Sequence, residues 1–191
     1  FSYLNGQLYC DVSDFCNLYY VYNEQGIAGF YLSNKAACYF FQEGLYTFRK
    51  NLFGDITDIY YGDTPVASYK YDAWGNCTTK TLVANSFIAY NPIRYRGYYY
   101  DTDLGLYYLQ SRYYDSNTGR FINADDVSLL GVDGSLLSYN LYAYCMNNPV
   151  NMSDTSGDIP VWILYAVAGA ALFGGVTYVI GKAIGLSKKA L

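Results

Sequence analysis

Sixteen acidic side chains face twelve basic ones in this chain, and there is no histidine at all. No Ser-His-Asp or Cys-His nucleophile is available, and no imidazole metal site. The five cysteines, Cys10, Cys16, Cys38, Cys77 and Cys145, form no C-x-x-C pair, are irregularly spaced and are odd in number. That pattern speaks against zinc or redox chemistry and for buried apolar thiols. A Cys10–Cys16 bond across a hairpin stays open, because only geometry decides it. No metal and no cofactor is expected. Arg94, Arg96, Arg112 and Arg120 alternate with aromatics, a pattern that elsewhere binds nucleic acid. The formal net charge here is −4, so these arginines are expected to pair with aspartates, and no nucleic-acid partner is expected.

Tyrosine is the other abundant functional group, with 26 copies among 191 residues. Exposed tyrosine ladders stack on sugar rings, which makes carbohydrate a candidate partner; most of these rings are expected to pack on strands. A third candidate is the tail. Residues 161–181 carry no charge, and as a helix they would span about 31 Å, near the thickness of a bilayer core. Trp162 and Tyr165 at one end and Lys182 at the other suit interfaces, and Ala170-x-x-x-Gly174 offers a small-residue seam. One continuous helix over residues 161–184 is expected, either membrane-spanning or buried. The chain starts at Phe1 with no basic-then-apolar leader, so it reads as the C-terminal piece of a longer chain.

The elements that would position these groups are strands. Charged residues are 15% and hydrophobic residues 52%, which suits a packed core rather than disorder. Aromatic and β-branched runs alternate with breaks that start at Asp or Asn and reach Gly three or four residues later. The Asx side chain bonds the backbone ahead, and Gly takes the positive φ. Strands are expected over residues 17–22, 27–32, 45–50, 56–61, 66–71, 77–83, 93–100 and 106–114. Gly75, Gly105 and Gly119 should have positive φ.

The breaks repeat one scheme: Tyr71-Asp72-x-x-Gly75-Asn76, Tyr100-Asp101-x-x-x-Gly105-Leu106 and Tyr114-Asp115-x-x-x-Gly119-Arg120, with weaker copies at Tyr22-Asn23-x-x-Gly26 and Lys50-Asn51-x-x-Gly54-Asp55. Between and after them stand Tyr95-Arg96-Gly97-Tyr98-Tyr99-Tyr100-Asp101, Gln110-Ser111-Arg112-Tyr113-Tyr114-Asp115, Gly119-Arg120-Phe121-Ile122-Asn123-Ala124-Asp125-Asp126 and Asn140-Leu141-Tyr142-Ala143-Tyr144-Cys145-Met146-Asn147-Asn148-Pro149. In that order they resemble the RHS/YD-repeat proteins and their repeat-associated core, closely over residues 70–157 and loosely back to Asn17. The resemblance implies a mainly β fold: an antiparallel YD-repeat hairpin ribbon, a fragment of an RHS β-shell, followed here by a C-terminal hydrophobic helix. It divides the chain into YD-repeat strands over 1–90, the core over 91–158 and the hydrophobic tail over 159–191.

The resemblance also implies a site. The family's core cuts its own chain with two carboxylates, one acting as base and one as acid, and these fall on Asp125 and Asp154. Asp133 is a rival for the second. This sequence departs from the family pattern at Thr155, where Pro is usual, at Asp158, where Leu is usual, and at Asp126, where a second Pro is usual. The implied function is the C-terminal RHS core of a bacterial polymorphic toxin-like protein, secreted, surface-bound or membrane-associated. It scaffolds or encapsulates, with the upstream shell and the C-terminal tail as partners, and cuts after Asp158. Two alternatives stand beside it: a surface or glycan-binding protein anchored by its tail, and a membrane-active effector acting through that tail.

Overall fold

The computed structural model describes residues 2–4, 7–14, 16–24, 26–35, 42–83, 91–129, 139–158 and 161–162. They fall into two compact units, residues 1–105 and 106–191.

The first unit is an antiparallel meander of eight strands paired in strict chain order. The strands are β1 (Ser2–Leu4), β2 (Gln7–Val12), β3 (Cys16–Asn23), β4 (Gly26–Asn34), β5 (Gly44–Lys50), β6 (Ile56–Tyr61), β7 (Thr64–Tyr71) and β8 (Cys77–Thr81). Period-two alternation makes one face the core. Leu8, Cys16, Leu18, Tyr20, Phe30, Leu32, Tyr46, Ile59 and Tyr69 are buried on it, and Ile93 joins the same cluster. Tyr9, Val21, Tyr31 and Leu45 are exposed. Cys10 and Cys16 are buried and not joined by a disulfide.

Bulges adjust that alternation. Ile56 and Ile59 are three residues apart and would face opposite ways on a regular strand, yet both are buried. The register runs Lys50↔Ile56 then Arg49↔Asp58, which leaves Thr57 as the extra residue and turns Ile56 back to the core. Val66 and Ala67 are both buried for the same reason, since Ile59↔Ala67 is followed by Tyr60↔Pro65.

The turns follow the expected chemistry. Asp72 Oδ1 accepts the amides of Trp74 and Asn76, both at 2.9 Å, and Oδ2 accepts Asn76 Nδ2 at 2.7 Å. The preceding turn is the same device with the pair exchanged: Asn51 Oδ1 accepts the amides of Phe53 (2.9 Å) and Asp55 (3.0 Å), and its Nδ2 donates to Asp55 Oδ2 at 2.7 Å. Gly75, Gly105 and Gly119 have φ of 94°, 69° and 68°.

Two expected strands are broken. Residues 93–100 are not one strand. Tyr95–Gly97 form a 3-10 turn with Arg96 at φ 55° and Gly97 at φ 74°, and only Tyr99–Asp101 (β9) is strand. The turn docks on the two Asx turns: Arg96 N donates to Asp55 Oδ1 at 2.9 Å, and Tyr95 OH donates to Ala73 O at 2.7 Å.

In the second unit, residues 106–114 are likewise two strands, β10 (Leu106–Tyr108) and β11 (Tyr113–Asp115), with Tyr107 opposite Tyr114. The chain reverses at Leu109–Arg112, where Gln110 takes φ 68°. No Gly, Pro, Asn or Asp marks that turn in the sequence. β12 (Arg120–Phe121) pairs with β11, and Ala143 bridges to Arg120. Tyr107, Tyr114, Phe121, Tyr144 and Met152 are buried. β13 (Met152–Ser153) pairs with β14 (Val161–Trp162). The expected helix therefore does not begin at Val161, which is paired as strand. Residues 163–191 lie outside the described residues. Among the described residues no helix is long and apolar enough to cross a membrane.

Candidate functional site

The Leu109–Arg112 reversal aims Arg112 inward. Its guanidinium carbon lies 3.7 Å from the centre of the Phe121 ring. Phe121 packs edge-on against Tyr114 and Tyr144, each at 5.8 Å between centroids. This aromatic floor fixes the plane of the guanidinium, whose nitrogens then reach three chain segments.

The first is the segment after β12. Asp125 N donates to Leu141 O at 3.0 Å, which ties residues 121–125 to the returning 140–144 segment. Asp125 Oδ2 sits 2.7 Å from Arg112 Nη2. The second is the returning segment itself, where Leu141 O accepts from Arg112 Nη1 at 3.0 Å. The third is the loop after β13. Asp154 Oδ1 accepts the amides of Gly157 (2.7 Å), Asp158 (3.1 Å) and Ser156 (3.3 Å), so the carboxylate folds its own loop around itself. Its Oδ2 lies 3.5 Å from the same Arg112 Nη2. Asp125 and Asp154 thus meet at one nitrogen atom. Asp133 lies outside the described residues.

Two contacts bring the chain beyond Asp154 to the guanidinium. Arg112 Nε donates to Gly157 O, and Nη2 reaches Asp158 O at 3.5 Å. Ser111 holds the same loop, donating through N (3.2 Å) and Oγ (2.9 Å) to Ser156 O. Gly157 has φ 83°, and a Cβ on it would fall 2.6 Å from Ser111 Oγ and 2.8 Å from Leu109 O. Only glycine fits there.

Burial dominates the electrostatics. It pushes the Asp154 carboxyl above its ordinary value, against the pull of the Gly157 amide and Arg112. It does the same at Asp125, against the Asp126 amide and Arg112, with Asp158 and Asp126 adding like charge. Burial also lowers Arg112, while the surrounding aspartates raise it; a guanidinium with so high a starting value stays charged. Two carboxylates around one cation leave one surplus negative charge when both are ionised. Two carboxylates on one guanidinium nitrogen titrate as a coupled pair. Such a pair can supply a base and an acid together. Among the described residues no group of three or more His, Cys, Asp or Glu could hold a metal ion.

Sequence reasoning brought up Asp125 and Asp154 but left Arg112 as one of four arginines expected to pair with aspartates. Ser111 and Gly157 were not singled out. The signal for Arg112 was present only in its place within the Gln110-Ser111-Arg112-Tyr113-Tyr114-Asp115 run.

No protein-family model matches the chain. The chain is 44% identical over 133 residues to the tRNA nuclease WapA of Bacillus subtilis (strain 168), covering 68% of this chain and 5% of that protein. It is 38% identical over 84 residues to the toxin protein Tse5 of Pseudomonas aeruginosa, covering 44% of this chain and 6% of that protein. In fold it is similar to the crystal structure of TcdB2-TccC3-Cdc42, with a TM-score of 0.64 at 24% identity over 75% of this chain and 6% of that one. The two curated relatives named here are a tRNA nuclease and a toxin protein, and the chain spans only about one-twentieth of each.

Proposed function

We propose that this chain is the self-processing RHS core of a secreted or surface polymorphic toxin-like protein, and that it cuts its own backbone after Asp158. The observation that carries the reading is the shared nitrogen: Arg112 Nη2 lies between the carboxylates of Asp125 and Asp154 and also reaches the Asp158 carbonyl oxygen. The guanidinium polarises that carbonyl, the ionised member of the pair serves as base, and the protonated member supplies the proton that the leaving amine needs. The aromatic floor and the Asp154 loop limit the water that reaches the site. Similarity to short stretches of a much longer tRNA nuclease and a much longer toxin protein supports a core that recurs in proteins of different activity. Neither the nuclease activity of the WapA relatives nor the assembly of the TccC-type neighbours is carried over by so small a share of those chains. The test is intact mass on purified protein. Wild type should give two fragments joined at residues 158 and 159, and Asp125→Asn should stay whole. A wild-type chain that stays whole overturns the reading.

A second reading, surface or carbohydrate binding, is favoured by the outer face of the meander. Tyr19 and Tyr31 pair across β3 and β4 there, with Tyr9 packed edge-on to Tyr19 at 6.2 Å. Glycan-array binding that is lost on Tyr9→Ala and Tyr31→Ala would support it.

A further inference from the structure

Asp158 carries a carboxylate of its own on the residue whose carbonyl Arg112 reaches. Its main chain is held at both ends. The amide donates to Asp154 Oδ1 at 3.1 Å, and the carbonyl oxygen is 3.5 Å from Arg112 Nη2. Its residue is exposed, while its charge is felt at both Arg112 and Asp125. An aspartate side-chain oxygen reaches its own carbonyl carbon by closing a five-membered ring. A nucleophile tethered in this way has an effective concentration far above that of any water molecule.

We infer that Asp158 is the nucleophile of the cut, attacking its own carbonyl carbon while Arg112 polarises the carbonyl oxygen. The inference rests on the self-cleavage reading and assigns its first step. A bond forms between Asp158 Oδ and the Asp158 carbonyl carbon. The bond from that carbon to the nitrogen of Ile159 breaks; Ile159 itself lies outside the described residues. The proton for the departing amine comes from the protonated member of the Asp125 and Asp154 pair. The products are a free amino group on Ile159 and a cyclic anhydride at the new C-terminus. Water then opens the anhydride at either of its two carbonyls. This regenerates the side-chain carboxylate, creates the new terminal carboxylate and releases two protons, one returning to the pair and one passing to the freed amino group. No oxidant, metal or co-reactant other than water enters.

The alternative is direct attack by a water molecule that the aspartate pair activates. The two routes place oxygen differently. Direct attack puts the water oxygen only in the terminal α-carboxylate, whereas opening an anhydride divides it between the α-carboxylate and the Asp158 side chain.

The experiment is to refold the whole chain in water enriched in the heavy oxygen isotope and locate the label in the N-terminal fragment by tandem mass spectrometry. Label in both carboxyl groups is expected. Asp158→Leu should fold, as judged by circular dichroism, and be cut at least about tenfold more slowly. Label confined to the α-carboxylate, or an Asp158→Leu chain cut at the wild-type rate, overturns this inference and leaves the self-cleaving reading standing. A wild-type chain that is never cut overturns both.

Discussion

Two buried arginines can be set side by side. Arg96, in the first unit, meets Asp55 with 5% and 8% of the side chains exposed. Arg112, in the second, meets Asp125 and Asp154 with 5%, 14% and 1% exposed. Both guanidinium groups stack on phenylalanine, Arg96 on Phe53 at 4.8 Å and Arg112 on Phe121 at 3.7 Å. Burial and stacking therefore do not separate a clamp from a reactive site. Charge balance does. Arg96 faces one carboxylate whose oxygens are already committed, Oδ1 to the Arg96 amide and Oδ2 to Asn51 Nδ2. Arg112 faces two, and burial raises both carboxyls above their ordinary value. The main chain differs as well. Arg96 bonds the carbonyl of a turn residue, Phe53, whereas Arg112 bonds carbonyls of the segment that leads to the tail.

The largest expected effect is chemical. Asp125→Asn should slow self-cleavage by at least about a hundredfold, the scale on which general acid–base groups act, with intact mass over time as the measurement. Arg112→Lys should also lose most of the cleavage, since an ammonium cannot reach both carboxylates and the carbonyls from one plane. Arg96→Lys should be cut at the wild-type rate; equal loss in both variants would erase the distinction drawn between the two sites.

Next in size is stability. Arg96→Met removes the partner of a buried carboxylate and should cost roughly 3–5 kcal/mol in denaturant unfolding. Gly75→Val should cost about 1–3 kcal/mol, because its φ is 94° and its Cβ would fall 2.6 Å from the Tyr95 ring. Gly105→Ala meets nothing nearer than 3.9 Å and should cost about 1 kcal/mol from φ alone. A Gly75 variant as mild as the Gly105 one would mean that Tyr95 is not pinned against that turn.

The smallest effects are in pH dependence, and their signs are opposite. Burial holds Asp125 and Asp154 above the ordinary carboxylate value. Their contribution is present in full below the unfolded value and is lost as pH rises through the folded one. Self-cleavage should weaken over the same rise, as the carboxyl that acts as acid in the proposed step loses its proton. At Asp72 burial pushes upward, but Asn76, Trp74 and Gly75 donate to the carboxylate and hold it below its ordinary value. That contribution is present above the unfolded value and is lost as pH falls through the folded one. The melting-temperature gap between wild type and Asp72→Ala should therefore shrink in acid. A gap that widens in acid would reverse the assignment.

The turns were legible in the sequence because each is built within five residues around one Asx side chain. Asp72 and Asn76, or Asn51 and Asp55, need no distant partner to define the reversal. The break at Gln110 was not legible, since its positive φ is imposed by what surrounds it: Ser111 bonds a loop 45 residues away, and Arg112 bonds Leu141 and Gly157, 29 and 45 residues away. The same distances hid Arg112. Asp125 and Asp154 were reached through motif resemblance, which carries such long-range information without displaying it. The strand at Val161–Trp162 was masked by the uncharged run that follows it, where helical and strand patterns look alike over two residues.

The first unit has one further consequence. Each of its eight strands pairs only with the strand before it and the strand after it. The strand pairing of such a sheet does not wait for the far end of the chain, so each pairing closes only one short hairpin. A chain emerging N-terminus first, from a ribosome or through a membrane pore, can lay these strands down in the order in which they arrive.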